Sequence, residues 1–247
     1  MADGIASKIF LVLLLLLTSC AFQTTSINKR LTTAKKSFIH VRVFLQEEGC
    51  DLASCSEEMI PYSSASGVVV LYKKRKHVLT AAHVCVANNA MLGTQEIKGY
   101  DARFTLIDRY SRQHIGKVVK IDPSIDTCLI YAEELSSPAL RVATKKPEYG
   151  EKVYNIAAPL SIIFRNMVLV FEGLYSGEIG RKAYYTLPAI FGSSGSPILN
   201  SNGELIGLLH SVHSEFHHVS LSPTYPELWN FLIPLPSNTA FNSDQFF

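Results

Sequence analysis

The chain has 247 residues, of which 47% are apolar and 18% are charged, which is the composition of a globular protein rather than a disordered or polytopic membrane protein. Its formal net charge is only +2, and its longest basic run is the four residues from Lys73 to Lys76. Phosphate binding needs a sustained basic surface, so this charge pattern argues against a nucleic-acid partner.

The first residues have the composition of an export signal. Residues 9–17 form an unbroken apolar run after Lys8. As a helix this run would be about 13 Å long, too short for a hydrocarbon core of about 30 Å, so it predicts a signal peptide over residues 1–19. The run ends in Leu-Thr-Ser before Cys20, which resembles the lipobox of bacterial lipoproteins. That resemblance implies a lipidated Cys20 and an exported protein anchored to a membrane, periplasmic or at the cell surface, and the alternative is an ordinary signal peptide.

The remainder of the chain predicts an all-β protein behind a tether. Residues 20–37 are rich in Ser, Thr and Lys and lack periodicity, which indicates a flexible tether. From Phe38 onward, short apolar or alternating runs recur between turn residues. The polar stretch from Ser136 to Gly150 predicts a link between two β domains. The predicted segments after the signal peptide are therefore 20–37 (tether), 38–140 (first β domain), 141–235 (second β domain with a helix) and 236–247 (tail).

The predicted strands fall into two series in chain order. The first series comprises Ile39 to Leu45, Gly67 to Tyr72, His77 to Ala82, Phe104 to Ile107, Ile115 to Ile121 and Cys128 to Tyr131. The second series comprises Lys152 to Ile156, Met167 to Phe171, Ala183 to Leu187, Ile198 to Leu199, Leu205 to Leu209 and Val219 to Leu221. After them, Pro223 to Leu232 predicts a short helix with Ser222 as its cap.

Four further cysteines follow Cys20. Cys50 and Cys55 lie in a polar stretch that predicts a loop, where they could close a small disulfide ring outside the cytoplasm. Cys85 and Cys128 lie among apolar residues, so buried free thiols are the favoured interpretation for them. No CxxC pair occurs in the sequence, which leaves little support for a structural zinc site.

Two segments of the first β domain place a group suited to acid–base chemistry beside an apolar strand. His83 follows a strand that ends in two alanines, so its ring is held rigidly yet stays open to a substrate. Asp126 precedes the apolar strand from Cys128 to Tyr131, where a carboxylate needs a partner, which suits an Asp that orients a His ring. Taken alone, either residue is more often structural than catalytic.

A third segment is a tight turn rich in glycine and serine, Gly-Ser-Ser-Gly-Ser-Pro at residues 192–197. Gly192 permits a backbone geometry that a Cβ would block, and its N–H can point into a common hole with that of Ser194. Two such donors bind the oxyanion that forms when Ser194 Oγ attacks a carbonyl. A serine–glycine turn by itself is usually only a turn.

Together the three segments resemble the chymotrypsin-like (trypsin-like) serine peptidase family. The family block T-A-A-H is similar to residues 80–83, the block D-x-x-L to residues 126–129, and the block G-D-S-G-G-P to residues 192–197. The order His, Asp, Ser also fits, with 43 residues from His83 to Asp126 and 68 from Asp126 to Ser194. The resemblance covers about residues 38–233 and is sharp only at these blocks.

The resemblance implies a fold, a mechanism and a substrate class. The implied fold is two six-stranded antiparallel β-barrels, with the active site in the cleft between them and a short C-terminal helix. His83, Asp126 and Ser194 would form the catalytic triad, and the N–H groups of Gly192 and Ser194 the oxyanion hole. The substrates would be proteins or peptides, and no metal or cofactor is required.

Departures from the family pattern point to its bacterial or viral branch. Ser193 replaces the Asp of the family motif and no Ile-Val-Gly-Gly sequence occurs, so activation by a newly cut N-terminus is not expected. The position six residues before Ser194 forms the floor of the substrate pocket in many relatives, and here it is Pro188. Proline has no carboxylate side chain to bind a substrate Arg or Lys, so trypsin-like specificity is not expected. His210 and His213 follow on the strand that forms the pocket wall, where a histidine could recognise acidic or polar side chains. These two and His217 and His218 also suggest a metal site as an alternative.

Two other functions stay open at this point. One is a catalytically inactive lipoprotein that keeps the peptidase fold and binds a protein partner. The other is a structural surface lipoprotein in which the three segments coincide by chance. Both predict that Ser194 is unreactive, whereas the peptidase prediction requires a reactive Ser194.

Overall fold

The computed structural model describes residues 27–47, 59–86, 91–92, 95–96, 100–213 and 215–233. The predicted signal peptide (1–19), Cys20, the possible Cys50–Cys55 disulfide and the tail (236–247) lie outside these residues. Among the described helices, none has the length and apolar character needed to cross a bilayer.

The first half of the chain forms a closed barrel. Its six strands are β1 (Phe38–Glu47), β2 (Ile60–Tyr72), β3 (Arg75–Thr80), β6 (Tyr100–Asp108), β7 (Gln113–Asp122) and β8 (Thr127–Tyr131), and the short strands β4 (Met91–Leu92) and β5 (Gln95–Glu96) pair with each other. The barrel order is β1-β2-β3-β8-β7-β6, and all its neighbours are antiparallel. Alternate residues of β1, such as Ile39, Val41 and Val43, are fully buried, because a strand sends every second side chain to the barrel interior.

The second half forms an open, curved sheet. Its strands are β9 (Lys152–Ala157), β10 (Ile163–Phe164), β11 (Met167–Ile179), β12 (Lys182–Tyr185), β13 (Ser196–Leu199), β14 (Leu205–Leu209), β15 (Ser211–His213) and β16 (Phe216–Pro223). They follow the order β14-β13-β9-β11-β12-β16-β15, with β10 beside β11. The all-β prediction is confirmed, but the predicted second six-stranded barrel is a half-barrel. Strands β14 and β15 stand at the two ends of this order although only His210 separates them in the chain, so one run of chain pairs with β13 and then with β16.

The segment predicted as a flexible tether is helical over its second half. Residues 27–34 form helix α1, and a 3₁₀ turn, Lys35–Ser37, leads into β1. Ile27, Leu31 and Ala34 pack against the core between the two halves, and their spacing of four and three residues puts them on one helix face. The Arg30 guanidinium donates hydrogen bonds to the Ser201 carbonyl (3.0 Å) and to Asn202 Oδ1 (2.8 Å). The sequence prediction missed this short apolar stripe among the polar residues.

The segment that links the two halves and the C-terminal helix both agree closely with the sequence prediction. The segment from Ser136 to Gly150 contains isolated bridges rather than strands, and it bonds to both halves: Leu140 N–H donates to Val69 O (2.7 Å) and Ala143 N–H to Leu205 O (2.9 Å). The C-terminal helix α3 (Tyr225–Leu232) begins two residues later than predicted, because β16 extends to Pro223.

A buried histidine in the first barrel makes stability depend on pH. His40 on β1 is 6% exposed, and its Nε2 has no hydrogen-bond partner in the described part of the chain. Burial, with a smaller effect of Arg42, lowers the pKa of His40 to about 4. In the unfolded chain, His40 binds a proton near pH 6.5. Protonation at lower pH therefore favours the unfolded chain, so the free energy of unfolding is highest above pH 6.5 and falls as the pH falls toward 4.

We therefore expect the protonation of His40 to lower the free energy of unfolding by about 3 kcal/mol when the pH falls from 7.5 to 4. Urea unfolding of the wild type and of His40→Gln at both pH values measures the effect, since carboxylates titrate alike in both proteins. The variant should show a shallower pH dependence. His217→Gln changes an exposed histidine and should retain the wild-type dependence, and equal slopes for the wild type and His40→Gln would contradict the prediction.

Candidate active site

His83 lies on a single helical turn at the end of a barrel strand. Strand β3 ends at Thr80, and the short helix α2 (Ala82–Cys85) follows at once. Ala81 and Ala82 are buried and small, so they leave the imidazole uncovered, and the His83 side chain is 51% exposed. The ring is therefore carried by the end of a barrel strand and has a solvent-accessible face.

Asp126 is hydrogen-bonded to His83 at two points. Its Oδ2 lies 2.8 Å from His83 Nδ1, and its Oδ1 accepts a hydrogen bond from the His83 backbone N–H at 2.9 Å. Asp126 ends the turn between β7 and β8 with a φ of +51°, a left-handed conformation that Asp tolerates better than most residues. Burial alone would raise the pKa of Asp126, but the hydrogen bonds and charge of His83 hold that pKa below its usual range.

A second histidine faces the same carboxylate. His210 Nδ1 lies 3.5 Å from Asp126 Oδ2, and the His210 side chain is only 10% exposed. Burial lowers the pKa of His210, although the charge of Asp126 opposes this shift. The sequence prediction assigned His210 to a substrate pocket and gave no sign of its proximity to Asp126, because the two residues come from different halves of the chain.

A disulfide joins the two segments that carry His83 and Asp126. Cys85 and Cys128 are bonded, with their Cα atoms 6.6 Å apart. The favoured interpretation of buried free thiols is therefore wrong. Strand β3 pairs with β8 at Thr80 and Cys128, and α2 then turns Cys85 back over that pair, which brings the two sulfur atoms together. The sequence holds one clue, since each cysteine follows its His or Asp by two residues.

The serine turn connects β12 to β13 through two glycines in left-handed conformations. Gly192 has a φ of +91° and Gly195 a φ of +81°. The Ser193 N–H donates to Ile190 O (2.9 Å), the Ser196 N–H to Ser193 O (3.0 Å) and the Gly195 N–H to Leu209 O (2.7 Å). These bonds fix the backbone on both sides of Ser194, whose side chain is partly exposed.

The serine turn packs directly on the first barrel. The Ser66 N–H on β2 donates to Ser194 O at 2.8 Å. A Cβ on Gly195 would clash with Thr80 Oγ1 and Ser66 O and would lie 2.9 Å from Thr80 Cα, so only glycine allows this approach to the end of β3. Within the described residues, Ser194 Oγ makes no hydrogen bond with His83. Catalytic hydrogen bonds are often long in enzymes without substrate.

The two predicted oxyanion donors have no backbone acceptor. Among the described residues, neither the Gly192 N–H nor the Ser194 N–H donates to a carbonyl. The Phe191 carbonyl accepts a hydrogen bond from the Leu160 N–H at 2.7 Å. The C=O and N–H of a trans peptide point in opposite directions, so this bond turns the Gly192 N–H away from Leu160.

A cavity of about 540 Å³ surrounds the His–Asp pair. His83, Asp126 and His210 line it together with Arg181 and Lys182. The predicted pocket residues Pro188 and His213 are not part of this lining in the described chain. His213 lies at the exposed end of β15, and its Nδ1 accepts a hydrogen bond from the Glu215 N–H at 3.4 Å.

The histidines near the end of the chain do not converge. Over the part of the chain that the structure describes, no three His, Cys, Asp or Glu side chains are arranged to hold a metal ion. The alternative of a metal site at His210, His213, His217 and His218 therefore gains no support from the geometry.

Comparisons with known proteins add a family and a fold. A family model described as a trypsin-like peptidase domain matches residues 65–208, more than half of the chain. Among solved structures, the Rv3671c protease from M. tuberculosis in its active form aligns with a TM-score of 0.61 at 16% identity, over 87% of this chain and 88% of that one. A serine endoprotease from Yersinia pestis aligns with a TM-score of 0.60 at 18% identity, over 82% of this chain and 64% of that one.

At these identities the structural likeness establishes the fold alone, which is chymotrypsin-like. No curated protein sequence matches the chain significantly.

Proposed function

Because the chain belongs to the family of trypsin-like peptidase domains, we propose that it is a serine endopeptidase with His83, Asp126 and Ser194 as its catalytic triad. The observation that carries the proposal is the doubly hydrogen-bonded pair of His83 and Asp126 at the rim of an open cavity. The close packing of Gly195 on Thr80, three residues before His83, supports the assignment of Ser194.

In the proposed acylation step, Ser194 Oγ attacks the substrate carbonyl carbon and forms a C–O bond. His83 Nε2 takes the hydroxyl proton and then passes it to the leaving nitrogen as the C–N bond breaks. Asp126 accepts the Nδ1–H hydrogen bond, which selects the tautomer with a free Nε2 and stabilises the imidazolium. In the deacylation step, His83 takes a proton from the water that attacks the acyl carbonyl carbon. The C–O bond to Ser194 then breaks, His83 returns the proton to Ser194 Oγ, and the carboxylic acid product leaves.

The tetrahedral intermediate in each step carries a negatively charged oxygen. The N–H groups of Gly192 and Ser194 are the proposed donors to this oxygen, because both are free of backbone acceptors in the described chain. Donors fixed in advance stabilise the developing charge without reorganising, and the loss of one such donor typically costs about 10²- to 10³-fold in kcat.

A fluorophosphonate probe tests the assignment directly. The folded protein should be labelled at Ser194, as identified by mass spectrometry of the modified peptide, because only an activated hydroxyl reacts rapidly. His83→Ala retains Ser194 but lacks the base, so its labelling should be slower by several orders of magnitude. Equal labelling of His83→Ala and wild type would refute the triad. No labelling of well-folded wild type would favour the alternative of an inactive peptidase fold that binds a protein partner.

We further propose that the enzyme works outside the cytoplasm, anchored to a membrane through a lipid on Cys20. The apolar run before Leu-Thr-Ser-Cys20 supports export and lipidation. The Cys85–Cys128 disulfide agrees with an oxidising compartment, since such bonds are rare in the cytosol of most organisms. The substrates in this proposal are proteins or peptides at the periplasmic or outer surface.

A further inference from the structure

One buried serine of the first barrel contacts three parts of the site. Ser66 on β2 is fully buried. Its carbonyl accepts a hydrogen bond from Thr80 Oγ1 (2.8 Å), and its N–H donates to Ser194 O (2.8 Å). Its backbone therefore ties the strand that precedes His83 to the serine turn, and any residue except proline at position 66 can make these two backbone contacts.

The Ser66 hydroxyl adds contacts that depend on the side chain. It accepts a hydrogen bond from the Ala158 N–H at 3.0 Å and donates one to Gly192 O at 2.8 Å. A hydroxyl has a single donor, and the Ala158 N–H fixes which side of the oxygen acts as acceptor. The donor is consequently directed at the Gly192 carbonyl.

These contacts bear on Gly192, one of the two proposed oxyanion donors. The peptide before Gly192 is held by the bond from the Leu160 N–H to Phe191 O. The peptide after it is held on its carbonyl side by the Ser66 hydroxyl and on its N–H side by the bond from Ser193 to Ile190 O. Glycine has little intrinsic preference between backbone conformations, so external bonds must determine the direction of its N–H. Without the Ser66 hydroxyl, the peptide after Gly192 keeps only the Ser193 N–H bond to Ile190 O.

We propose that Ser66 is a positioning residue that holds the Gly192 N–H in the orientation needed to bind the oxyanion. The proposal rests on the serine peptidase function proposed above. Ser66 itself touches neither the substrate nor the reacting atoms, and it acts through the Gly192 backbone. Its contribution therefore belongs to the transition state, where the oxyanion exists, and not to substrate binding.

Steady-state kinetics of Ser66→Ala test the proposal. We expect kcat to fall about 10- to 100-fold, less than or similar to the loss of a whole oxyanion donor, while KM changes less than about threefold. The inhibition constant of a peptide aldehyde, whose adduct carries the oxyanion, should rise by a similar factor. The acid limb of the pH profile should stay in place, because the mutation leaves the bonds between His83 and Asp126 intact.

A second variant and a matched control separate positioning from folding. Ser66→Cys keeps a weakly hydrogen-bonding group of similar size and should give a kcat between those of the wild type and Ser66→Ala. Ser64→Ala removes a hydroxyl two residues away that bonds to Ser161 Oγ (2.6 Å) without touching the serine turn, and it should stay within about threefold of wild-type kcat. Folded fraction is measured by circular dichroism for every variant.

The outcomes are distinct. Wild-type kcat in both Ser66 variants would overturn the proposal. A loss of activity that follows the folded fraction would also overturn it. So would a loss that is explained by a rise in KM or by a shift in the acid limb of the pH profile. If the wild type itself neither hydrolyses peptides nor reacts with the fluorophosphonate, the proposed function fails first.

Discussion

Replacing Ser194 by alanine should lower kcat/KM for peptide hydrolysis by about 10⁴-fold or more. The change removes the oxygen that forms the bond to the substrate carbonyl, so the acyl-enzyme cannot form. The oxyanion donors and the substrate-binding surface remain, and they account for the residual activity that such variants retain. The fold should be unaffected, since Ser194 Oγ makes no hydrogen bond in the described chain.

The measurement uses a mixture of fluorogenic peptides that covers many cleavage sites. Ser201→Ala changes a serine in the turn between β13 and β14 and should keep wild-type kcat/KM. Thermal unfolding midpoints of the wild type and both variants should agree within about 2 °C. Ser194→Ala with more than a few per cent of wild-type activity would rule out Ser194 as the nucleophile.

Replacing Gly195 by alanine should both destabilise the protein and abolish its activity. At a φ of +81° an L-residue costs about 1–2 kcal/mol. The added Cβ also clashes with Thr80 Oγ1 and with Ser66 O, a backbone atom that cannot rotate away. Overpacking of this kind typically adds about 1–3 kcal/mol, so we expect a total loss of about 3 kcal/mol or more. Relief of the clash moves the serine turn away from β3, and we expect kcat/KM to fall at least 100-fold, because a displacement of about 1 Å can cost that much.

Gly150→Ala is the matched control for this substitution. Gly150 has nearly the same φ, +78°, but a Cβ there meets no atom within 4 Å. It should therefore show only the conformational cost and keep its activity. Chemical denaturation and kinetics of the three proteins separate the two effects. Equal stability losses in Gly195→Ala and Gly150→Ala would show that the contact with Thr80 and Ser66 is not tight.

The sequence indicated much of this architecture because the strands carry local signals. The apolar runs that predict β1, β3, β8 and β14 coincide with the observed strands to within a few residues. The pairing of His83 with Asp126 was predictable as well, because each residue sits next to a strongly apolar strand and carries a family motif.

Other features depend on contacts between distant segments, which no local pattern encodes. The disulfide needs the β3–β8 pairing and the turn of α2, and neighbouring apolar residues indicate only that Cys85 and Cys128 lie close to the core. The position of His210 beside Asp126 depends on how the two halves of the chain pack against each other. The half-barrel form of the second sheet depends on which strands pair at its two ends, β14 and β15. Ser66 stands in an unremarkable strand, and only the packing of the two halves reveals its contacts.

The Cys85–Cys128 bond also changes what the chain can do when it is not folded. It closes a loop with a sequence separation of 43, and on the chain-entropy account a constraint of this length is worth about 4 kcal/mol of unfolding free energy. His83 stands two residues before the Cys85 end of this covalent ring, and Asp126 lies inside the ring, two residues before Cys128. Even in the denatured ensemble the imidazole and the carboxylate thus stay tethered at a high effective concentration, and an oxidised chain begins each refolding event with its acid–base pair already close together.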